Sequence, residues 1–251
     1  MNGLLLTVLP SGNALLLALL VTLVFATVAW WINGVDRSGA IAGGVICFVL
    51  FTGAGAGAFA GLVAVFILAW ASTRVGYRRK QQQGTAESKT GRKASQVVAN
   101  LGVAAVCAAL HYAHSRFVPS GVEIFSLGMV AAFSEAAADT VSSELGQIQK
   151  AARLITTWKK VPPGTDGGIS PLGTLAGILG AALVAGTCFL VRLVPVCGAL
   201  IAIAAAAVGM LADSLLGALF ERRGTLNNDA VNFLGTLTAA SVAIFYASFR
   251  G

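Results

Sequence analysis

Glu135, Asp139 and Ser143 are spaced by four in the run Glu135-Ala-Ala-Ala-Asp139-Thr-Val-Ser-Ser143-Glu144-Leu-Gly146. A helix places all three on one stripe. Ionisable groups inside an apolar segment are costly and mark function. Carboxylates and hydroxyls on a buried stripe are what a hydrated Mg2+ ion, or a proton path, requires. Asp213, in Gly209-Met-Leu-Ala-Asp213-Ser-Leu-Leu-Gly217, ends one apolar segment, and Asp229 begins the next. A short hairpin between those segments brings both carboxylates to one interface. The expected metal-holding set is therefore Asp139, Asp213, Glu144 and Asp229, with Glu135, Asn228 and Asn232 as further contributors. Asp229 alone also suits a helix N-cap, whereas the dipole at a helix C-terminus disfavours Asp213.

Two further constellations suit phosphate. In Pro162-Pro163-Gly164-Thr165-Asp166-Gly167-Gly168-Ile169-Ser170-Pro171, glycines let backbone N–H groups converge just before a helix begins. Gly164, Thr165, Gly167, Gly168 and Ser170, with Ser143 nearby, are expected to cradle phosphate there. No Gly-Lys-Ser/Thr follows, so this is not a Walker loop. In Gly91-Arg92-Lys93-Ala-Ser95-Gln96-Val-Val-Ala-Asn100, Arg92 and Lys93 could offset phosphate charge, and Gln96 and Asn100 share a helix face. Asp36 and Arg37 either join this site or form an exposed ion pair, which is worth little. No Ser, Cys and His set suggests nucleophilic hydrolysis. The four cysteines are isolated in apolar segments and read as small hydrophobes.

The elements that must position these residues are membrane helices. The chain of 251 residues is 57% hydrophobic and 11% charged, which excludes an ordinary soluble domain. The predicted fold is all-α: a single polytopic integral membrane helix bundle with about eight transmembrane helices, seven being the other count. The apolar segments are 14–32, 38–52, 56–73, 94–112, 121–141, 172–191, 193–215 and 230–248. Residues 38–73 carry no charge and are too long for one crossing, so the run is split at Gly53-Ala54-Gly55-Ala56-Gly57.

With the N-terminus outside, fourteen of the 17 Lys and Arg fall on the inner side and three on the outer. This positive-inside bias accounts for the net charge of +7 without invoking nucleic acid. Residues 74–93 read as a flexible basic cytoplasmic loop. Residues 142–173 read as a second cytoplasmic loop, with an amphipathic surface helix (Leu145, Ile148, Ala152 and Ile155 on one face) and the Gly-rich turn. The acids, the turn and the cations then share the cytoplasmic interface. That grouping favours phosphoryl or nucleotidyl transfer onto a lipid whose tail stays in the bilayer. An ion- or proton-coupled transporter, with acids near mid-membrane, is the alternative of another class.

The runs Gly91–Asn100, Ala138–Gly146, Pro163–Ser170 and Gly209–Gly217 resemble the DUF92/transmembrane protein 19 family over about residues 33–248. Val141 stands where that family places a tryptophan. Plant members of the family are phytyl-phosphate kinases of the tocopherol pathway. The resemblance implies an isoprenoid-phosphate kinase that uses Mg2+ and CTP or ATP to convert a prenyl monophosphate into its diphosphate. A lipid cytidylyltransferase or a polyprenol kinase is the nearest alternative. On this reading Asp139, Asp213, Arg92 and Lys93 carry the chemistry.

Overall fold

The computed structural model describes residues 12–117, 123–149 and 151–249. Lys150 and Arg250, two cations of the charge count, and the first residues of the segment 121–141 lie outside them. The long helices are α1 (Gly12–Trp31), α2 (Arg37–Arg74), α4 (Ala94–Phe117), α5 (Glu123–Gly146), α6 (Pro171–Leu190), α7 (Val196–Leu219) and α8 (Asn228–Ser248). A short α3 (Tyr77–Gln83) and three short strands complete the chain. Among the described residues, seven helices are long and apolar enough to cross a membrane.

One of the seven supplies two legs. Straight, the 38 residues of α2 would extend ~57 Å. Yet near its C-terminus the Trp70 indole (3.3 Å) and the Arg74 guanidinium (2.9 Å) both donate to the carbonyl of Ile32. Ile32 lies five residues before the start of α2, a reach of at most ~18 Å. The helix therefore folds back on itself, and the reversal sits at Gly55 (φ 73°, ψ −162°). This is inside the glycine run chosen from sequence as the break. The two legs plus the other six long helices make the eight apolar passes of the sequence reading.

The backbone conformation at Gly55 is open in practice only to glycine, and a Cβ there would meet nothing within 4 Å. Gly55→Ala is thus a pure test of backbone strain. It is expected to lower stability by about 1–3 kcal/mol, measured by thermal unfolding in detergent.

α5 is the centre of the bundle. Every residue from Ser126 to Ala138 is buried, and α2, α4, α6, α7 and α8 all pack around it. A helix rich in alanine and other small residues is built for such close contact. α1 is the opposite: Leu16, Leu17, Leu20 and Leu23 are exposed, a surface suited to lipid.

Side-chain caps fix where helices begin. Asp36 accepts from the Gly39 amide at 2.8 Å and from the Ser38 hydroxyl at 2.7 Å. These bonds hold its carboxyl below the usual value. Ser170 caps α6 through the Gly173 amide, with Pro171 in the first turn. Asn227 caps α8 through the Ala230 amide at 2.9 Å.

Two expectations about the loops are corrected. The amphipathic surface helix is not formed. Instead β1 (Ala152–Leu154) pairs antiparallel with both β2 (Lys160–Val161) and β3 (Gly168–Ile169), giving the order β2-β1-β3. α5 stops at Gly146; thereafter β-branched Ile155, Thr156 and Thr157 disfavour helix, and Pro162-Pro163 prevent its resumption. The in-out-in burial of Ala152, Arg153 and Leu154 follows a strand's period of two. Part of the basic segment after α2 is helical. Residues 77–83 form α3, and Lys80 on that helix is completely buried.

Candidate active site

One end of the bundle holds a polar cleft of about 360 Å3. α4 contributes Gln96 and Asn100 to it, and Arg92 comes from just before that helix. α5 contributes Asp139, Thr140, Ser143 and Glu144; α7 contributes Asp213; α8 contributes Asn228 and Asn232. The turn Gly164–Ser170 closes one side, and residues 84–87 form the facing rim.

Asp139 and Asp213 both line the cleft, near enough for each carboxyl to feel the other electrostatically. Asp213 Oδ2 is buried and has no hydrogen-bond partner among the described residues. Behind this pair, Glu135 is 1% exposed, and its Oε1 is likewise unpartnered. Room for that side chain exists because Gly209 and Gly235 face it. A Cβ on Gly209 would come within 2.6 Å of Glu135 Cγ, and one on Gly235 within 2.5 Å of Glu135 Oε1.

Arg92 is the cation of the cleft. The Gly34 carbonyl accepts its amide at 3.1 Å, and the Asp36 amide donates to its carbonyl at 3.0 Å. These bonds fix the backbone and send the side chain inward, with Nη1 3.5 Å from Thr140 Oγ1 and its charge acting on Asp139. Gln96 ties the rim to α4. Its Nε2 donates to the Glu87 carboxylate (3.2 Å to Oε2), and its Oε1 accepts from the Lys93 amide at 2.9 Å.

The Gly-rich turn spends several donors on itself. The Thr165 hydroxyl donates to the Pro162 carbonyl and the Gly168 amide to the Thr165 carbonyl, both at 2.8 Å. The Ser170 hydroxyl oxygen is taken up by the α6 cap. The amides of Asp166 and Gly167 have no partner among the described residues. Gly167 is required for two reasons. Its φ is 72°, and a Cβ would fall 2.4 Å from Ala218 Cβ on α7.

Several sequence expectations are not met by position. Lys93 is exposed and does not line the cleft, because adjacent residues before a helix point apart and Arg92 takes the inward place. Asp229 lies in the first turn of α8 but outside the cleft, where Asn228 and Asn232 stand instead. Asp36 is a helix cap, and neither it nor Arg37 lines the cleft. Glu135 sits deeper than the cleft wall. Glu144 lines the cleft but is bound in a buried ion pair with Lys80.

The cleft also contains acids that sequence reasoning left without a role. Glu221 follows Asp213 and Gly217 at intervals of four, a stripe that could have revealed it, and it lies close enough to Asp166 and Asp139 to feel both charges. Glu87, on the rim, carried no such signal, and neither did Lys80, which lies outside the cleft lining.

No cluster of three or more His, Cys, Asp or Glu side chains able to cage a metal occurs among the described residues. Mg2+ does not need one: it is usually held by one or two carboxylates, waters and substrate phosphates. Asp139 and Asp213, with the unsatisfied Oδ2, fit that demand.

A bundle of long apolar helices with a polar cleft at one end defines an integral membrane protein. Residues 20–240 match the family described as Integral membrane protein DUF92, and the chain belongs to that family. It is similar to Protein VTE6, chloroplastic, of Arabidopsis thaliana, at 34% identity over 87% of this chain and 67% of that protein. It is 36% identical to the uncharacterized membrane protein MJ0933 of Methanocaldococcus jannaschii over 83% of this chain and 84% of the relative. Protein PGR of Arabidopsis thaliana is 30% identical over 84% and 80%, respectively. No solved structure matches.

Proposed function

We propose that this protein is a membrane isoprenoid-phosphate kinase, transferring the γ-phosphoryl group of a nucleoside triphosphate to a prenyl monophosphate. One observation carries the reading. The polar cleft shares Glu87, Arg92, Gln96, Asn100 and Thr140 with an apolar cavity of about 350 Å3 beside it. A substrate can therefore present a phosphate to the cleft while an apolar tail occupies the neighbouring space. The family resemblance points the same way, since it implies an isoprenoid-phosphate kinase.

The residues then divide the work. The Asp166 and Gly167 amides bind nucleotide phosphates as a fixed nest of donors. Arg92, on the wall common to both spaces, holds the lipid phosphate and offsets charge that builds in the transition state. Asn100, whose Nδ2 donates to the Gln96 carbonyl at 2.8 Å, stiffens that wall. Asp139 and Asp213 would hold Mg2+, which when bound neutralises and aligns the phosphates.

A substrate phosphate oxygen attacks the γ-phosphorus and forms the new P–O bond. The bond to the nucleotide breaks, and its electron pair leaves with the nucleoside diphosphate. A phosphate nucleophile is ionised near neutral pH, so the mechanism calls for no histidine base. The positive-inside bias of the basic loops supports a cytosolic cleft, and CTP is the proposed donor, with ATP as the other candidate.

The test uses purified protein, geranylgeranyl or phytyl monophosphate, Mg2+, and CTP or ATP in turn. A prenyl diphosphate by mass supports the kinase. A CDP-linked lipid overturns it in favour of cytidylyl transfer. Tracer flux into sealed vesicles without nucleotide turnover overturns it in favour of transport.

A further inference from the structure

The apolar cavity lies among α1, the two legs of α2, and α4. Along the second leg of α2 its lining runs from Arg74 to Leu62. Twelve residues of helix are ~18 Å, a little more than half the ~30 Å hydrocarbon thickness. The lining residues farthest from the cleft along their helices are Phe25, Gly43 and Leu62. The Phe25 ring is held edge-on to Phe59 and Phe66, at centroid distances of 5.6 and 5.4 Å. That aromatic corner makes a firm end wall.

Gly43 differs from the glycine one turn before it. A Cβ on Gly39 would lie 2.2 Å from the Arg92 carbonyl oxygen, so packing demands glycine there. A Cβ on Gly43 would meet only Val97 Cγ1, at an ordinary 3.8 Å. Close packing therefore does not explain the bare backbone at Gly43. Its consequence is free space at the far part of the cavity.

We propose that this cavity seats the isoprenoid tail and that Gly43 sets the tail length accepted, by leaving room for the distal carbons. The inference rests on the prenyl-phosphate reading above. The occupant is specified by continuity: the cavity opens onto Arg92, so the ligand carries an anionic headgroup on an apolar chain.

The experiment compares geranyl and geranylgeranyl monophosphates on wild type, Gly43→Leu and Ala40→Leu. Ala40 lines the same cavity and serves should Gly43→Leu fail to fold. Gly186→Leu is the control, since a Cβ there meets nothing within 4 Å and the residue lies away from the cavity. Two readouts are taken: kcat/KM with nucleotide, and the rise in unfolding temperature on adding each lipid without nucleotide.

Gly43→Leu is expected to lose at least about tenfold in kcat/KM for the geranylgeranyl substrate, the scale of pocket discrimination between chains differing in apolar size. The geranyl substrate and the Gly186→Leu control should stay within about twofold of wild type. The longer lipid should also stop stabilising the variant. Unchanged discrimination in both readouts overturns the tail site. Stabilisation of wild type by both lipids without turnover, lost selectively for the long one in Gly43→Leu, overturns the kinase reading and supports the tail site. No stabilisation and no turnover with either lipid overturns both.

Discussion

Asp139→Asn should abolish prenyl-phosphate turnover while leaving the protein folded and no less stable than wild type. Asparagine keeps the shape of the side chain and removes its charge. Asp139 and Asp213 lie near one another at the inner end of a cleft walled by buried helix. Both side chains line that cleft, and the buried Asp213 Oδ2 has no hydrogen-bond partner among the described residues. An orphaned carboxylate oxygen in a polar cleft is best explained by a bound cation that satisfies it. Losing a preorganised electrostatic contact to the transferring group typically lowers turnover by about 10²–10³-fold, and the expected loss here is at least about hundredfold. Asp213→Asn should behave in the same way. Turnover by mass spectrometry and thermal unfolding on the same preparations check both halves. Activity above half of wild type in either variant would remove that carboxylate from the mechanism.

Lys80→Met should produce the opposite pattern, a large loss of stability that precedes any effect on chemistry. Lys80 is 0% exposed and the Glu144 side chain 9% exposed, and they form the ion pair found among the described residues. The ammonium also donates to the carbonyls of Ser72 (3.2 Å) and Thr73 (2.9 Å) at the C-terminal end of α2, where the helix dipole favours a cation. All three of its protons are thus taken, and three elements (α2, α3 and α5) meet on one nitrogen. Removing one partner of a buried pair leaves the other charge uncompensated, at a cost of about 3–5 kcal/mol. Glu144→Gln should be costly for the same reason. The double variant Lys80→Met/Glu144→Leu should recover much of the loss, because apolar replacements leave no orphaned charge. The check is thermal unfolding across the three variants; a double variant as unstable as the sum of its parts would refute the coupling.

These two cases mark what could be read from the sequence. Asp139 and Asp213 stood out because an acid in an apolar run is a strong local signal. Periodicity then placed Asp139 on the stripe that enters the cleft. The reversal at Gly55 was legible for similar reasons: an uncharged stretch too long for one pass, with glycines at its middle. Arg92 against Lys93 could not be decided, since choosing the inward cation depends on backbone bonds to Gly34 and Asp36, far away in sequence. The Lys80–Glu144 pair spans 64 residues, and nothing local distinguishes Lys80 from the other cations of its segment. The small sheet was missed because a few apolar residues at helical spacing outweighed a shorter run of strand-forming ones. The cavity was missed because it is made of space between helices, which no single segment encodes.

The wall common to the cleft and the cavity has a kinetic consequence. On the proposed chemistry the headgroup reacts without its chain leaving the bilayer, so the enzyme meets its lipid substrate in two dimensions. Its speed will track the mole fraction of that substrate among neighbouring lipids, and diluting the membrane with inert phospholipid will slow it even when the amount per millilitre is unchanged.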